Sequence, residues 1–145
     1  MGIAVLEDHE TYCAVCATVT VSRRGLLRIE KMVVVANSGY IINPLNCREQ
    51  VHGSVCWELS HALYGGLNLQ NGRFVNTNFD SYGLMRIQDM PEIETHFALS
   101  KDGWWGGMGE PAGPPTPPAV ANAIYFATGK RIRTTPILQH DLSWS

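Results

Sequence analysis

The sequence has no run of about eighteen apolar residues, so no transmembrane helix is expected. Its N-terminus has no basic segment followed by an apolar core, so no signal peptide is expected either. No basic stripe exists. Arg23-Arg24 and Lys130-Arg131-Ile132-Arg133 are the only clusters, and the formal net charge is -2, which argues against a nucleic-acid partner. Cys13, Cys16, Cys47 and Cys56 form no disulfide framework. Cys13-x-x-Cys16 resembles half of a zinc knuckle, but its second half is missing. In an extended segment the two thiols also face opposite sides. They read as buried free cysteines, which suits a reducing, cytoplasmic compartment. Iron–sulfur spacings and flavin or nicotinamide fingerprints are absent as well.

What remains is a chain of 145 residues, 45% hydrophobic and only 17% charged, with four Trp, five Tyr and four Phe. That is enough for one globular domain over residues 1–145. Residues 12–22 alternate Cys13, Val15, Ala17, Val19 and Val21 against Tyr12, Ala14, Cys16, Thr18 and Thr20, predicting a strand buried on both faces at its start. Ser22-Arg23-Arg24-Gly25 is a turn. Residues 26–36 form the return strand, wet at Arg28, Glu30 and Lys31 and buried over Met32-Val33-Val34-Val35.

Asn43-Pro44 opens a helix running to about Tyr64 and stopped by Gly65-Gly66. Val51, Val55, Leu59, Ala62 and Leu63 make its core stripe, with Gln50, Ser54, Trp57 and His61 on a second stripe beside it. Gly53 in mid-helix costs about 1 kcal/mol relative to Ala, so close packing against it is expected. Asn71-Gly72 centres a hairpin over residues 67–76, residues 92–99 read as a strand, and a final helix runs from Pro117 or Pro118 to Thr128 before Gly129. The tail from Arg133 has no strong pattern. The fold class is α+β: hairpins packed with two main helices.

Residues 101–118 hold five glycines and five prolines. Composition alone reads as a flexible linker. Trp104 and Trp105 are poor linker residues, however, and a strand and a helix flank the stretch. Glu110 stands between Gly109 and Pro111, where glycine allows close approach and proline stiffens the chain. This is a way to hold one carboxylate rigidly beside a large ligand, as a general base requires.

Gly107-Met108-Gly109-Glu110-Pro111-Ala112-Gly113-Pro114-Pro115, the run from Pro118 to Ile124 and Ala127-Thr128-Gly129-Lys130-Arg131-Ile132-Arg133 resemble the C-terminal signature of the xanthine oxidase/aldehyde oxidoreductase family. Within that family the pattern is most like the isoquinoline 1-oxidoreductase-like large subunits. Gly2-Ile3-Ala4-Val5, Asn43-Pro44, Gln50-Val51-His52-Gly53, Ala62-Leu63-Tyr64-Gly65, Asn78-Phe79-Asp80-Ser81-Tyr82 and Pro91-Glu92-Ile93-Glu94 agree in the same order, so the resemblance covers nearly the whole chain.

The resemblance implies a portion of a molybdopterin-binding domain, with molybdenum held by a pterin, often as the cytosine dinucleotide. It implies a hydroxylation of an N-heterocycle or aldehyde with water as oxygen source. The parent complex would be cytoplasmic or periplasmic, and its electrons would leave through iron–sulfur clusters on a small subunit. Glu110 matches the family's base, and Trp104 and Trp105 would give it an apolar surrounding that disfavours the charged form. Gly107, Met108 and Gly109 match the backbone near the metal, and Gln50 a glutamine approaching the pterin. Read without the resemblance, Gln50 is an ordinary helix-surface residue.

Two segments depart from the pattern. Asn37-Ser38-Gly39 stands where Asp-Cys-Gly is common, and Leu6-Glu7-Asp8-His9-Glu10 where His-Glu-Ser-Phe-Gly is common; His9 reads as a surface substitution. Most cofactor contacts are expected on several hundred further residues, with this chain a truncated gene product or one half of a split subunit, inactive and cofactor-free alone. A non-catalytic module that oligomerises through exposed apolar residues such as Trp57, Trp104, Trp105 and Trp144 is the competing reading. An anion site in the Gly-rich loop is a third, lacking a loop lysine.

Overall fold

The structure is a computed structural model and describes residues 1–100 and 103–145. Lys101 and Asp102, at the head of the Gly/Pro stretch, lie outside the described residues. The architecture is α+β. Strands β1 (Gly2–Asp8), β2 (Thr11–Val21), β3 (Leu27–Asn37) and β6 (Glu92–Phe97) form one sheet in the order β1-β2-β3-β6. Two hairpins make the first three strands antiparallel, and β6 returns parallel to β3 after the excursion through helix α1 (Pro44–Tyr64). Strands β4 (Leu69–Gln70) and β5 (Arg73–Phe74) form a separate minimal hairpin. Helix α2 (Thr116–Thr128) follows the Gly/Pro loop.

Both helices lie on one side of the sheet, and this decides which strand residues are dry. Cys13, Val15, Ala17, Met32, Val34 and Ala36 are buried against Val51, Val55, Leu59, Ala119, Val120, Ala123 and Ile124. The opposite face stays open: Tyr12 is 50% exposed, Ala14, Cys16 and Val33 are half-buried, and Val35 is exposed. The expected two-sided burial of β2, and of Val33 and Val35 in β3, is therefore corrected. Those apolar runs reflect β propensity on a sheet with one helical layer. Shrinking Leu59 or Ile124 to Ala would leave a cavity and cost about 2–5 kcal/mol.

Helix α1 starts where expected. Asn43 Oδ1 accepts from the amides of Leu45 (3.1 Å) and Asn46 (3.2 Å), and Pro44 occupies the first turn, where no intrahelical donor is lost. Its dry face is the expected stripe, with Ser60 added. Helix α2 begins at Thr116, one residue earlier than expected, and ends at Gly129 with φ 75°. A side chain at Gly2 would collide with the α2 backbone at Ala119 and Ala123, so glycine there lets helix and strand meet closely. The tail is more ordered than its sequence suggests. Ile137 and Leu142 are buried, and Trp144 Nε1 donates to the Val21 carbonyl (3.0 Å).

Candidate cofactor-binding and active site

The Gly/Pro loop is no free linker. The Gly106 amide donates to Ser38 O (2.9 Å) and the Gly107 amide to His9 O (2.8 Å), while Thr11 Oγ1 donates to Gly107 O (2.6 Å). A Cβ on Gly106 would strike Thr11 Oγ1 and sit 2.5 Å from Glu10 O, so only glycine lets the loop lie against the β1–β2 turn. Trp104 meets Tyr12 edge-on (6.2 Å between ring centroids), and Trp105 stacks on Tyr40 (5.0 Å). These contacts anchor the loop beside the open end of the sheet.

From that anchorage the chain crosses to α1. Gln50 Nε2 donates to Gly109 O (2.9 Å), and Ser54 Oγ reaches Glu110 O at 3.5 Å. The Gly113 amide donates back to Glu110 O (2.8 Å), and Thr116 Oγ1 donates to Ala112 O (2.8 Å), turning the chain into α2. A cleft of about 540 Å³ results, lined by Gln50, Gly53, Ser54, Trp57, Glu110 and Pro114 among others. Gln50, Ser54 and Trp57 of the second stripe of α1 thus form one wall of the cleft. Met108 is half-buried and packs against the core.

Two expectations about this region need correction. Nothing lies within 4 Å of a Cβ placed on Gly53. Its flat surface faces the open cleft, so any close partner must come from outside the described residues. Glu110 is exposed, and the indoles of Trp104 and Trp105 are engaged with Tyr12 and Tyr40. The apolar surrounding expected for Glu110 is therefore not supplied by the described residues.

His9 is exposed, as expected of a surface substitution, and stands beside two carboxylates. A His9 ring nitrogen, an Asp8 carboxylate oxygen and a Glu110 carboxylate oxygen all lie within 4.8 Å of one another. Sequence reading missed this because the three residues meet only when the loop folds back on the β1–β2 turn. The one available signal was the departure at residues 6–10.

The model for the molybdopterin cofactor-binding domain matches residues 7–91, more than half of the chain. The chain belongs to the molybdopterin cofactor-binding domain family. It is 31% identical to a membrane-bound pyrroloquinoline-quinone aldehyde dehydrogenase of Gluconacetobacter polyoxogenes, over 98% of this chain and 19% of that protein. It is 33% identical to the aldehyde oxidoreductase molybdenum-binding subunit PaoC of Escherichia coli, over 80% of this chain and 17% of that one. Its fold superposes on quinoline 2-oxidoreductase from Pseudomonas putida with a TM-score of 0.79 and 24% identity, covering 88% of this chain and 17% of that one. The chain thus spans about a fifth or less of the proteins it matches.

The donor set of the cleft fits a pterin of the kind this family binds. The Gln50 amide keeps a second N–H and its carbonyl oxygen for further bonds, and the glycine-rich wall allows close approach of a flat ring. Asp8, His9 and Glu110, and the four free cysteines, supply no closed ligand cage among the described residues. Among the described residues, no helix is long and apolar enough to cross a membrane.

Proposed function

We propose that this chain is the C-terminal part of a molybdopterin-binding domain and completes the active site of a molybdenum-dependent hydroxylase. That enzyme oxidises an N-heterocycle or aldehyde with water as oxygen source. The observation that carries the reading is the cleft itself: Gln50 holds the Gly109 peptide, and the next residue, Glu110, presents an exposed carboxylate at its rim.

The molybdenum cofactor, in its cytosine dinucleotide form, supplies the two-electron redox chemistry when bound. Gln50 and the peptide groups of Gly107, Met108 and Gly109 hold and orient the pterin end of that cofactor. Glu110 accepts a proton during attack on the substrate carbon, held in place by the turn that its own carbonyl closes with Gly113. The remainder of the large subunit seals the cleft and excludes bulk water from around the carboxylate. An iron–sulfur small subunit carries the electrons away. The chain alone is expected to be inactive, and the assembled complex works in the cytoplasm or periplasm.

The test is co-expression of this chain with the complementary part of a molybdenum subunit, followed by metal analysis and turnover with aldehydes and N-heterocycles. Molybdenum in the complex and its absence from the chain alone are expected. Glu110→Gln should lower turnover by about 10²–10⁴-fold, the usual worth of a general base, with molybdenum content unchanged. A complex carrying a quinone and no molybdenum, or a Glu110→Gln enzyme that keeps most of its rate, would overturn the reading.

A further inference from the structure

The β1–β2 connection is a two-residue hairpin turn in which both residues, His9 (φ 48°) and Glu10 (φ 60°), are left-handed. Such turns favour Asn-Gly, because a Cβ is sterically disfavoured in this region. His tolerates this region better than most side chains, but Glu10 is an unusual choice for the turn, and unfavourable backbone of this kind concentrates at functional sites. The consequence of the geometry is specific. The Gly107 amide clasps the His9 carbonyl, and Gly107 is glycine where a Cβ would stand 3.0 Å from the His9 Cβ. The imidazole is thereby set beside the Gly109-Glu110 segment. Asp8 Oδ1 lies 3.0 Å from His9 Nδ1, which fixes the ring's plane, as a carboxylate does for many working histidines.

We infer that His9, oriented by Asp8, is a positioning residue for Glu110, holding the Glu110 carboxylate at the rim of the cleft. The inference rests on the reading of Glu110 as the base. A ring nitrogen within 4.8 Å of the carboxylate closes on it by a small side-chain rotation or through one water. On the open surface of the isolated chain such a contact is worth little. Once the rest of the subunit covers the cleft and water leaves, the same contact gains strength and keeps the carboxylate from swinging away from the substrate. The cost of the left-handed turn is then offset by a base held at one angle.

Two measurements test this. In the full chain labelled with ¹⁵N, Glu110→Gln and Asp8→Asn should each shift the His9 ring resonances more than those of His52, His61, His96 and His140. A His9 signal indifferent to Glu110→Gln overturns the pairing, whatever Glu110 does in catalysis. In the assembled enzyme His9→Gly suits the left-handed backbone, so the melting temperature should rise, yet kcat should fall about tenfold with KM little changed. His9→Asn, which tolerates the same backbone and restores a donor, should recover part of the rate. A His9→Gly enzyme with full kcat would sink the inference. If instead Glu110→Gln keeps its rate while the His9 signal still responds to it, the base assignment fails and the pairing stands.

Discussion

Gln50 and Gly109 are 59 residues apart in the chain and 2.9 Å apart in space, joined by a hydrogen bond from the side-chain amide to the backbone carbonyl. This one bond ties the middle of α1 to the loop that carries Glu110. It also makes a helix-surface glutamine part of the cleft wall. Losing it should free the loop without harming the core, because Gln50 is exposed while its neighbour Val51 is buried.

Gln50→Ala is therefore expected to raise hydrogen exchange across residues 107–113 by about fivefold, the equivalent of one ordinary hydrogen bond of about 1 kcal/mol. Exchange in β2 and β3 should be unchanged. In the assembled enzyme the same variant should retain less molybdenum. A loop that exchanges at the wild-type rate would show that Gln50 does not hold it.

Gly106→Ala should be the most damaging single-methyl change in the loop. The new Cβ has Glu10 O and Thr11 Oγ1 in its way, and a backbone carbonyl cannot move aside cheaply. A loss of about 1–3 kcal/mol is expected, read from chemical denaturation. Gly103→Ala, where no atom lies within 4 Å but φ is 87°, should cost about 1–2 kcal/mol through backbone strain alone. Restoring contacts elsewhere would not rescue Gly106→Ala.

Cys13 is buried in the sheet core, and burial pushes its thiol up to about 11. Burial raises the Cys56 thiol too. The protonated form is thus favoured in the folded state, and this stabilises the fold below the ordinary thiol range and fades as pH climbs through the raised value. Native alkylation at pH 8 should leave Cys13 unmodified while the half-buried Cys16 and Cys47 react; mass spectrometry of tryptic peptides reads this directly. Fast labelling of Cys13 below pH 9 would contradict its placement.

Thr95 in β6 is 8% exposed, and its buried hydroxyl has no hydrogen-bond partner among the described residues. Thr95→Val replaces that hydroxyl with a methyl of similar size. It should stabilise the fold by up to about 1 kcal/mol, the reverse of what most core substitutions do. A clear fall in melting temperature would mean that the hydroxyl is satisfied by something the geometry does not reveal.

The local elements were legible from residues 12–36, 43–64 and 116–129 because their signals are local. Period-two alternation marks β2, the Asn43-Pro44 cap and the Val51-Val55-Leu59 stripe mark α1, and Gly129 stops α2. Collinear motifs likewise brought out the family resemblance and singled out Glu110 and Gln50. Other features depend on what packs where. Only the tertiary structure shows that the helices cover one face of the sheet, leaving Tyr12 and Val35 wet, because alternation says which residues share a face and not whether a layer covers it. Only the folded chain opens the cleft in front of Gly53, whose missing side chain looks the same in sequence whether it meets a neighbour or empty space. And only the return of the Gly/Pro loop onto the β1–β2 turn brings His9 to Glu110, across a sequence separation that no spacing rule can bridge.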